Sequence, residues 1–266
     1  VNPAFSFLVC TFNGEKYLRQ ALDSILGTKY KNFEVIVLDD GSKDTTVSIL
    51  GEYSNQKKIK FFKQKNTGLG QARNQALEFC ENDWIVTLDQ DDLSYPDRLT
   101  HYKEVIEKNN QSIFIYSRTD IIDKNNKVIK KDFVTWDNHA RPINGNEAFT
   151  ELIRRGCFPG SAYCVNKNIL KNLKGWNPNM TVACDYDLFL RLTEKTVFVT
   201  TGKTDIAWRN HGENTQFRSN LRYHEFRIAL NTASTSYYAS KRLKTLIYLK
   251  ILRSYISENI KIFIKI

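Results

Sequence analysis

What the 266-residue sequence lacks narrows its class before any motif is read. Its five cysteines, Cys10, Cys80, Cys157, Cys164 and Cys184, include no CxxC pair. An odd count at irregular spacing argues against a disulfide framework or a structural zinc site and fits a reducing cytosol. No apolar run approaches the roughly 18–20 residues that span a bilayer. No Gly/Ser linker, low-complexity tract or internal repeat forces a division of the chain. The opening Val-Asn-Pro carries no signal-peptide pattern and reads as a trimmed start. No serine or cysteine shows a nucleophile signature, so covalent catalysis lacks support.

What is present is ordinary globular material, with 41% hydrophobic and 26% charged residues, including sixteen Phe and thirteen Tyr for a core. The net charge is +10 but uneven: residues 216–266 hold ten Lys/Arg against two Glu, leaving +2 for the body. A nearly neutral body without a recognition motif argues against nucleic-acid binding.

Apolar segments "FSFLVC" (5–10), "FEVIVL" (33–38), "IKFF" (59–62) and "WIVTL" (84–88) read as strands alternating with helical patterns. Such alternation implies a mostly parallel sheet with helices on both faces, and the lack of polar alternation agrees. A helix is expected to open at "SYPD", capped by Ser94, with Pro96 in its first turn. The second half reads as a strand at 112–117, a hairpin turning at 124–126, helices in "NGNEAFTELIRR", "NKNILKNL" and "DYDLFLRLTEK", and strands at "SAYCV", "TVFVT" and "DIAWR". Helices are expected from about Arg218 onward.

Four polar clusters follow the four strands: Thr11–Asn13, Asp39–Ser42, Asn66–Gly70 and Asp89–Asp92. In an open parallel sheet, ligands bind beyond the carboxyl ends of the strands, so all four clusters face one rim. Asp89, Asp91 and Asp92 are hard oxygen ligands suited to Mg²⁺ or Mn²⁺ completed by substrate phosphates, or a solvated acidic loop. Asp92 is the one most suited to structural work. Asp39 and Asp40 could bind a metal or accept hydrogen bonds from a nucleobase or ribose, and a structural role for Asp40 is equally open. "NTGLGQARN" lacks the third glycine of a dinucleotide fingerprint; it leaves a helix N-terminus at which Arg73 could meet a phosphate or a neighbouring aspartate. Asp185 begins a helix and suits either a general base or a simple N-terminal helix acid. Asp187 is the weaker candidate. His211 could contact a ligand or merely lie at the surface; His101, His139 and His224 have no supporting context.

Together "CTFNGEKYLRQALDSIL", "FEVIVLDDGSKDTT", "NTGLGQARNQAL", "LDQDDLSYPDRL" and "CDYDLFLRL", in order from about Phe5 to His211, resemble family 2 glycosyltransferases of the GT-A fold, of the bacterial polysaccharide and glycoconjugate type. The resemblance implies an α/β fold with a Rossmann-like, mostly parallel central sheet and a helical C-terminal extension. It implies a domain at 1–217, with a nucleotide-sugar half (1–110) and an acceptor-side half (111–217), and a basic extension at 218–266. It implies an inverting hexosyltransferase that uses a nucleotide-diphosphate sugar, by family habit a UDP-sugar, and Mn²⁺ or Mg²⁺ for cell-envelope polysaccharide synthesis. Thr11, Phe12, Asp39 and Arg73 fall where the family holds the nucleotide, with Asn13, Asp40, Asn66 and Gly68 beside them. Asp89 and Asp91 fall on its DXD motif, with Gln90 and Asp92 completing the donor-diphosphate set. Asp185 matches the catalytic base, and His211 matches a position near the diphosphate and metal. Cys10 replaces a usual proline, and Cys184 replaces a glutamate that often precedes the base.

Rival readings are a non-catalytic nucleotide-sugar-binding module of the same fold and a nucleotidyltransferase. The latter needs a glycine-rich phosphate loop after the first strand, which "CTFNGEKY" is not. Residues 241–266 carry a net +6 among apolar residues. They suit a basic amphipathic helix on the inner face of the cell membrane, near a glycan or lipid-linked acceptor, or a helix packed on its own domain or on a homodimer partner.

Overall fold

Strands buried on both faces need no polar alternation, and the first, second and fourth apolar segments follow that rule, whereas Lys60–Lys63 lies at the sheet edge with its lysines exposed and its phenylalanines half-buried. The structure, a computed structural model, describes residues 2–56, 58–109, 113–133, 136, 141–212, 214 and 219–263, the side chains of 219–220 and 254–263 aside. His139 and Arg218 lie outside these residues, as do 264–266 at the end of the basic tail.

In chain order the elements are β1 (Phe5–Thr11), α1 (Leu18–Leu26), β2 (Phe33–Asp39), α2 (Thr46–Asn55), β3 (Lys60–Lys63), α3 (Leu69–Phe79), β4 (Trp84–Thr87), β5 (Leu93–Ser94), α4 (Arg98–Lys108), β6 (Ile113–Ile122), β7 (Val128–Phe133), α5 (Gly145–Arg155), β8 (Tyr163–Asn166), α6 (Lys167–Asn172), α7 (Cys184–Leu192), β9 (Val197–Arg209), α8 (Ser219–Ser234) and α9 (Lys241–Phe263). The described strands form one sheet in the order β3-β2-β1-β4-β8-β6-β9-β5, with β7 added to β6. Strands β3, β2, β1 and β4 are mutually parallel. β8 then runs antiparallel to both β4 and β6, and β6 pairs β9 in parallel.

Alternate residues of β1 feed two cores. Phe5, Phe7 and Val9 pack under α1, α2 and α4 with Leu22, Leu50 and Leu99. Leu8 faces the other side, where Ala72, Phe149, Leu188 and Phe189 bring in α3, α5 and α7. That second core continues into the C-terminal helices through Ala229, Leu230, Ala233, Leu243 and Ile247. The inner face of α9 therefore packs on its own domain. Its outer face exposes Tyr248, Leu249 and Leu252. Among the described residues no helix is long and apolar enough to cross a membrane.

Two sequence expectations give way. Ser94 is not a helix cap: it belongs to β5, which pairs with β9, and α4 begins only at Arg98. Tertiary pairing of Leu93 with Ala207 takes residues that local capping chemistry would have put in a helix. The segments "TVFVT" and "DIAWR" are one thirteen-residue strand, β9, because Gly202 accommodates a φ of +67° between them. Elsewhere the agreement is close. The helix in "NGNEAFTELIRR" starts with a capping box, Asn144 accepting from the Glu147 amide and Glu147 from the Asn144 amide.

Candidate active site

The carboxyl ends of β1, β2 and β4 meet at one rim, and cross-loop hydrogen bonds hold them together. Gln90 Oε1 accepts from the Thr11 hydroxyl at 2.5 Å and from the Phe12 amide at 3.0 Å. Gln90 Nε2 donates back to the Phe12 carbonyl at 3.3 Å. Asn13, at φ 50°, donates its amide to Ser42 Oγ and accepts from the Lys43 amide. Asp40 accepts from the Thr67 and Gly68 amides at 2.9 and 3.0 Å and from Gln64 Nε2 at 2.6 Å, so it clasps the loop that leads into α3. Gly41, at φ +82°, lies so close to Asn66 that a Cβ there would come within 2.8 Å of its amide nitrogen. Asp39 is buried, with the Ser42 amide 3.3 Å from each carboxylate oxygen. Phe12 and Asn66 are exposed on the same rim.

Arg73 projects from α3 into the floor of this rim and is only 1% exposed. Its Nη2 donates to Asp89 Oδ1 at 2.7 Å and its Nη1 to Asp185 Oδ1 at 2.5 Å. Burial alone would lower the guanidinium's pKa; the two carboxylates reverse that and hold it well above its ordinary value. One rigid fork thus fixes two carboxylates from distant parts of the chain.

Asp185 stands in the first turn of α7. Its Oδ1 also accepts from the Tyr163 hydroxyl at 3.1 Å and from Trp176 Nε1 at 3.2 Å. Its Oδ2 faces Gly160, where any Cβ would collide with it. The preceding Cys184 is buried, and burial together with Asp185 pushes its thiol well above the usual range. A neutral thiol there leaves Arg73 with two carboxylates to balance rather than three. Asp187 points elsewhere, buried in an ion pair with Arg191 at 2.8 Å.

The three aspartates after β4 differ. Asp92 is 1% exposed, and both its oxygens are engaged: Oδ2 by Ser161 Oγ at 2.5 Å and Oδ1 by the Arg209 amide at 2.9 Å. Burial raises its pKa well above the ordinary value, with Asp91 and Asp89 adding to the rise. Asp89 keeps 35% of its side chain exposed. Desolvation by the surrounding protein, partly offset by Arg73, pushes its carboxyl up to about 6, and Asp185 and Asp91 contribute to the rise. Asp91 Oδ2 lies 2.8 Å from His211 Nε2, whose ring packs 5.0 Å from that of Tyr17. His101, by contrast, pairs with Asp205 away from these residues.

Among the described residues no three His, Cys, Asp or Glu side chains are grouped as a ready metal cage. The donor chemistry fits a partial oxygen site instead. Asp89 bonds through Oδ1 and Asp91 through Oδ2, which leaves one oxygen of each without a hydrogen bond from the described residues. A divalent cation that arrives with a phosphate often takes only one or two protein carboxylates. His211 directs Nε2 at Asp91.

Sequence reasoning missed several supports. Ser161 and Tyr163 read only as part of the strand "SAYCV", and Gly160 and Trp176 drew no reading at all. Arg209 read as a strand residue, yet its Nε donates to the Asp91 carbonyl at 2.7 Å. Arg98, fully buried, donates to the Thr87 and Ser161 carbonyls at 3.1 and 2.5 Å. None of these carries a local motif; only the sheet order brings them here.

Comparison with known proteins gives the family and the fold. Residues 6–171 match the family described as glycosyl transferase family 2. An uncharacterized glycosyltransferase of Rickettsia typhi is 35% identical over 191 residues, 71% of this chain and 58% of that protein. The chondroitin synthase of Escherichia coli is 29% identical over 217 residues, 81% of this chain and 30% of that protein. The chain spans about a third of the length of several curated relatives it matches. In structure it is similar to S. aureus TarS 1–349 in complex with UDP-GlcNAc, with TM-score 0.74 and 19% identity over 96% of this chain and 73% of that one. It is also similar to the mannosyltransferase PcManGT from Pyrobaculum calidifontis in complex with GDP-Man and Mn²⁺, with TM-score 0.66 and 16% identity over 94% of this chain and 69% of that one. The fold is of the GT-A type, and with a family match over residues 6–171 the chain belongs to glycosyl transferase family 2.

Proposed function

We propose that this protein transfers a sugar, with inversion, from a nucleotide-diphosphate donor, a UDP-sugar, to a hydroxyl of a glycan or lipid-linked acceptor. The observation that carries this reading is the double ion pair of Arg73, which joins Asp89 on the donor rim to Asp185 at the start of α7. Asp185 then stands within the same site as the group that leaves. Similar proteins support a UDP-sugar donor and a glycan acceptor: TarS in complex with UDP-GlcNAc and with UDP, and a chondroitin synthase.

In this mechanism the buried Asp39, with Thr11 and Phe12, orients the nucleotide at the ends of β1 and β2. Asp89 and Asp91 would hold Mn²⁺ or Mg²⁺, which when bound neutralises charge on the departing diphosphate. Asp92 supports the loop from behind through Ser161 and Arg209. Asp185, with Oδ1 fixed by three donors, presents Oδ2 beside Gly160 to take the acceptor's proton. The hydroxyl attacks the anomeric carbon from the face opposite the diphosphate, and one displacement inverts the configuration. A nucleotidyltransferase would need a phosphate loop after β1; here Gln90 closes that turn onto Phe12.

We extend the proposal to the outer face of α9. Lys241, Arg242, Lys244 and Arg253 are exposed there beside Tyr248, Leu249 and Leu252. Cations interleaved with exposed apolar groups complement an anionic lipid surface, where a lipid-linked acceptor would be found.

Three outcomes are expected. Asp185→Asn keeps nucleotide binding, read by calorimetry, but lowers transfer by about 10²–10⁴-fold; near-normal turnover would refute the base assignment. Donor affinity in the presence of Mn²⁺ falls as pH drops through about 6, because the carboxyl of Asp89 must be ionised to serve a cation. A flat affinity between pH 5 and 7 would contradict this titration of Asp89. Anionic vesicles are expected to sediment the wild type but not a Lys241→Glu, Lys244→Glu, Arg253→Glu triple variant. Equal sedimentation would remove the membrane contact.

A further inference from the structure

Helix α7, which carries Asp185, has no cap from its own leading residues: Ala183 stands at the N-cap and offers no side-chain hydrogen bond. The cap comes from the C-terminal extension. Glu225, in the middle of α8 and 2% exposed, accepts from the Thr181 amide through Oε1 at 2.9 Å. Its Oε2 accepts from the Val182 and Ala183 amides at 2.7 and 2.8 Å. The N-cap amide of Ala183 and the two amides just before it thereby meet one buried carboxylate at the positive end of α7. The Tyr186 ring lies 4.8 Å from that of Phe226, so packing reinforces the contact.

The segment that Glu225 grips also seats α3. The Gly70 amide donates to the Met180 carbonyl at 3.0 Å. A Cβ on Gly70 would collide with the Asn177 carbonyl and come within 2.7 Å of that of Met180, and one on Gly68 would come within 2.9 Å of Thr181 Oγ1. Residues 177–183 are therefore wedged between the start of α3, which carries Arg73, and the start of α7, which carries Asp185.

We infer that Glu225 is a positioning residue for sugar transfer, holding α7 and α3 in the register that lets Arg73 reach Asp185, and that α8 is thereby part of the working transferase. The inference rests on the transferase reading above. Glu225 lies beyond residues 6–171, the span of the family match. It touches none of the rim residues Thr11, Asp39, Asp89 or Asp91 through any hydrogen bond to the described residues. Its loss should therefore act on turnover rather than on donor binding.

The test uses the full chain, a sugar-nucleotide donor that the wild type turns over, and Glu225→Gln beside Phe226→Leu as a packing control. Glu225→Gln is expected to lower kcat about tenfold to a hundredfold, the scale of an ångström-sized misplacement. The donor KM should stay within about twofold, and the 181–183 amides should lose hydrogen-exchange protection. Phe226→Leu should lose thermal stability while keeping kcat. Should Glu225→Gln fail to fold, Glu225→Asp, which retracts the charge by one methylene, is expected to show the same split. Equal kcat losses in the glutamate and phenylalanine variants, unchanged amide protection, or wild-type kcat in a variant whose 181–183 amides have loosened would each overturn the role. An inactive wild type across all donors would instead strike the transferase reading itself.

Discussion

The arrangement of the rim depends on one buried guanidinium. Arg73 is almost wholly enclosed, and its two ends hold carboxylates that the sequence separates by nearly a hundred residues. A buried arginine is tolerable only when its charge is matched, and a buried ion pair is weak evidence for stability but strong evidence for geometry. Here the geometry ties the loop after β4 to the first turn of α7. If Arg73 is displaced, Asp89 and Asp185 lose their common reference, although each would remain on its own element.

The rest of the structure serves that constraint at longer range. The parallel half of the sheet brings the ends of β1, β2 and β4 together, and Gln90, Asp40 and Ser42 close the loops between them. The antiparallel strand β8 then carries Tyr163 and leads from Gly160 and Ser161, which contact Asp185 and Asp92. Cys184, buried beside Arg73 with its thiol held neutral, keeps the charge balance of the Arg73 cluster at two carboxylates. Glu225 contributes its own negative charge from the far side of α7, where the helix amides absorb it.

The first half of the fold was legible because its signals are local. Apolar runs such as "FEVIVL" state both strand and burial, and each is followed by a polar cluster whose rim position follows from parallel topology alone. Asp89, Asp91 and Asp185 stood out as candidates by their places at a strand end and a helix start, but an acidic loop or a helix-start acid reads the same locally, and only the family resemblance singled them out. The failures have one physical source. Ser94 looked like a cap until strand pairing with β9 claimed it, and "TVFVT" and "DIAWR" looked separate because a positive-φ glycine joins them. Tyr163, Trp176, Arg98 and Arg209 look like ordinary core or strand residues, since their roles arise from contacts across 9 to 118 positions of sequence. Arg73 sat between the two kinds: its position at a helix start and an aspartate partner were visible, but not that it bridges Asp89 and Asp185 at once.

The most direct measurement is nucleoside diphosphate release from a panel of sugar nucleotides with Mn²⁺ or Mg²⁺, comparing the wild type with Arg73→Lys. Lysine keeps the charge but not the fork, so it cannot bridge Asp89 and Asp185 together. The wild type is expected to release diphosphate from at least one donor, and the variant to fold yet release it at least about a hundredfold more slowly. Wild-type rates in the folded variant, or no release by the wild type from any donor, would contradict a transferase built around Arg73.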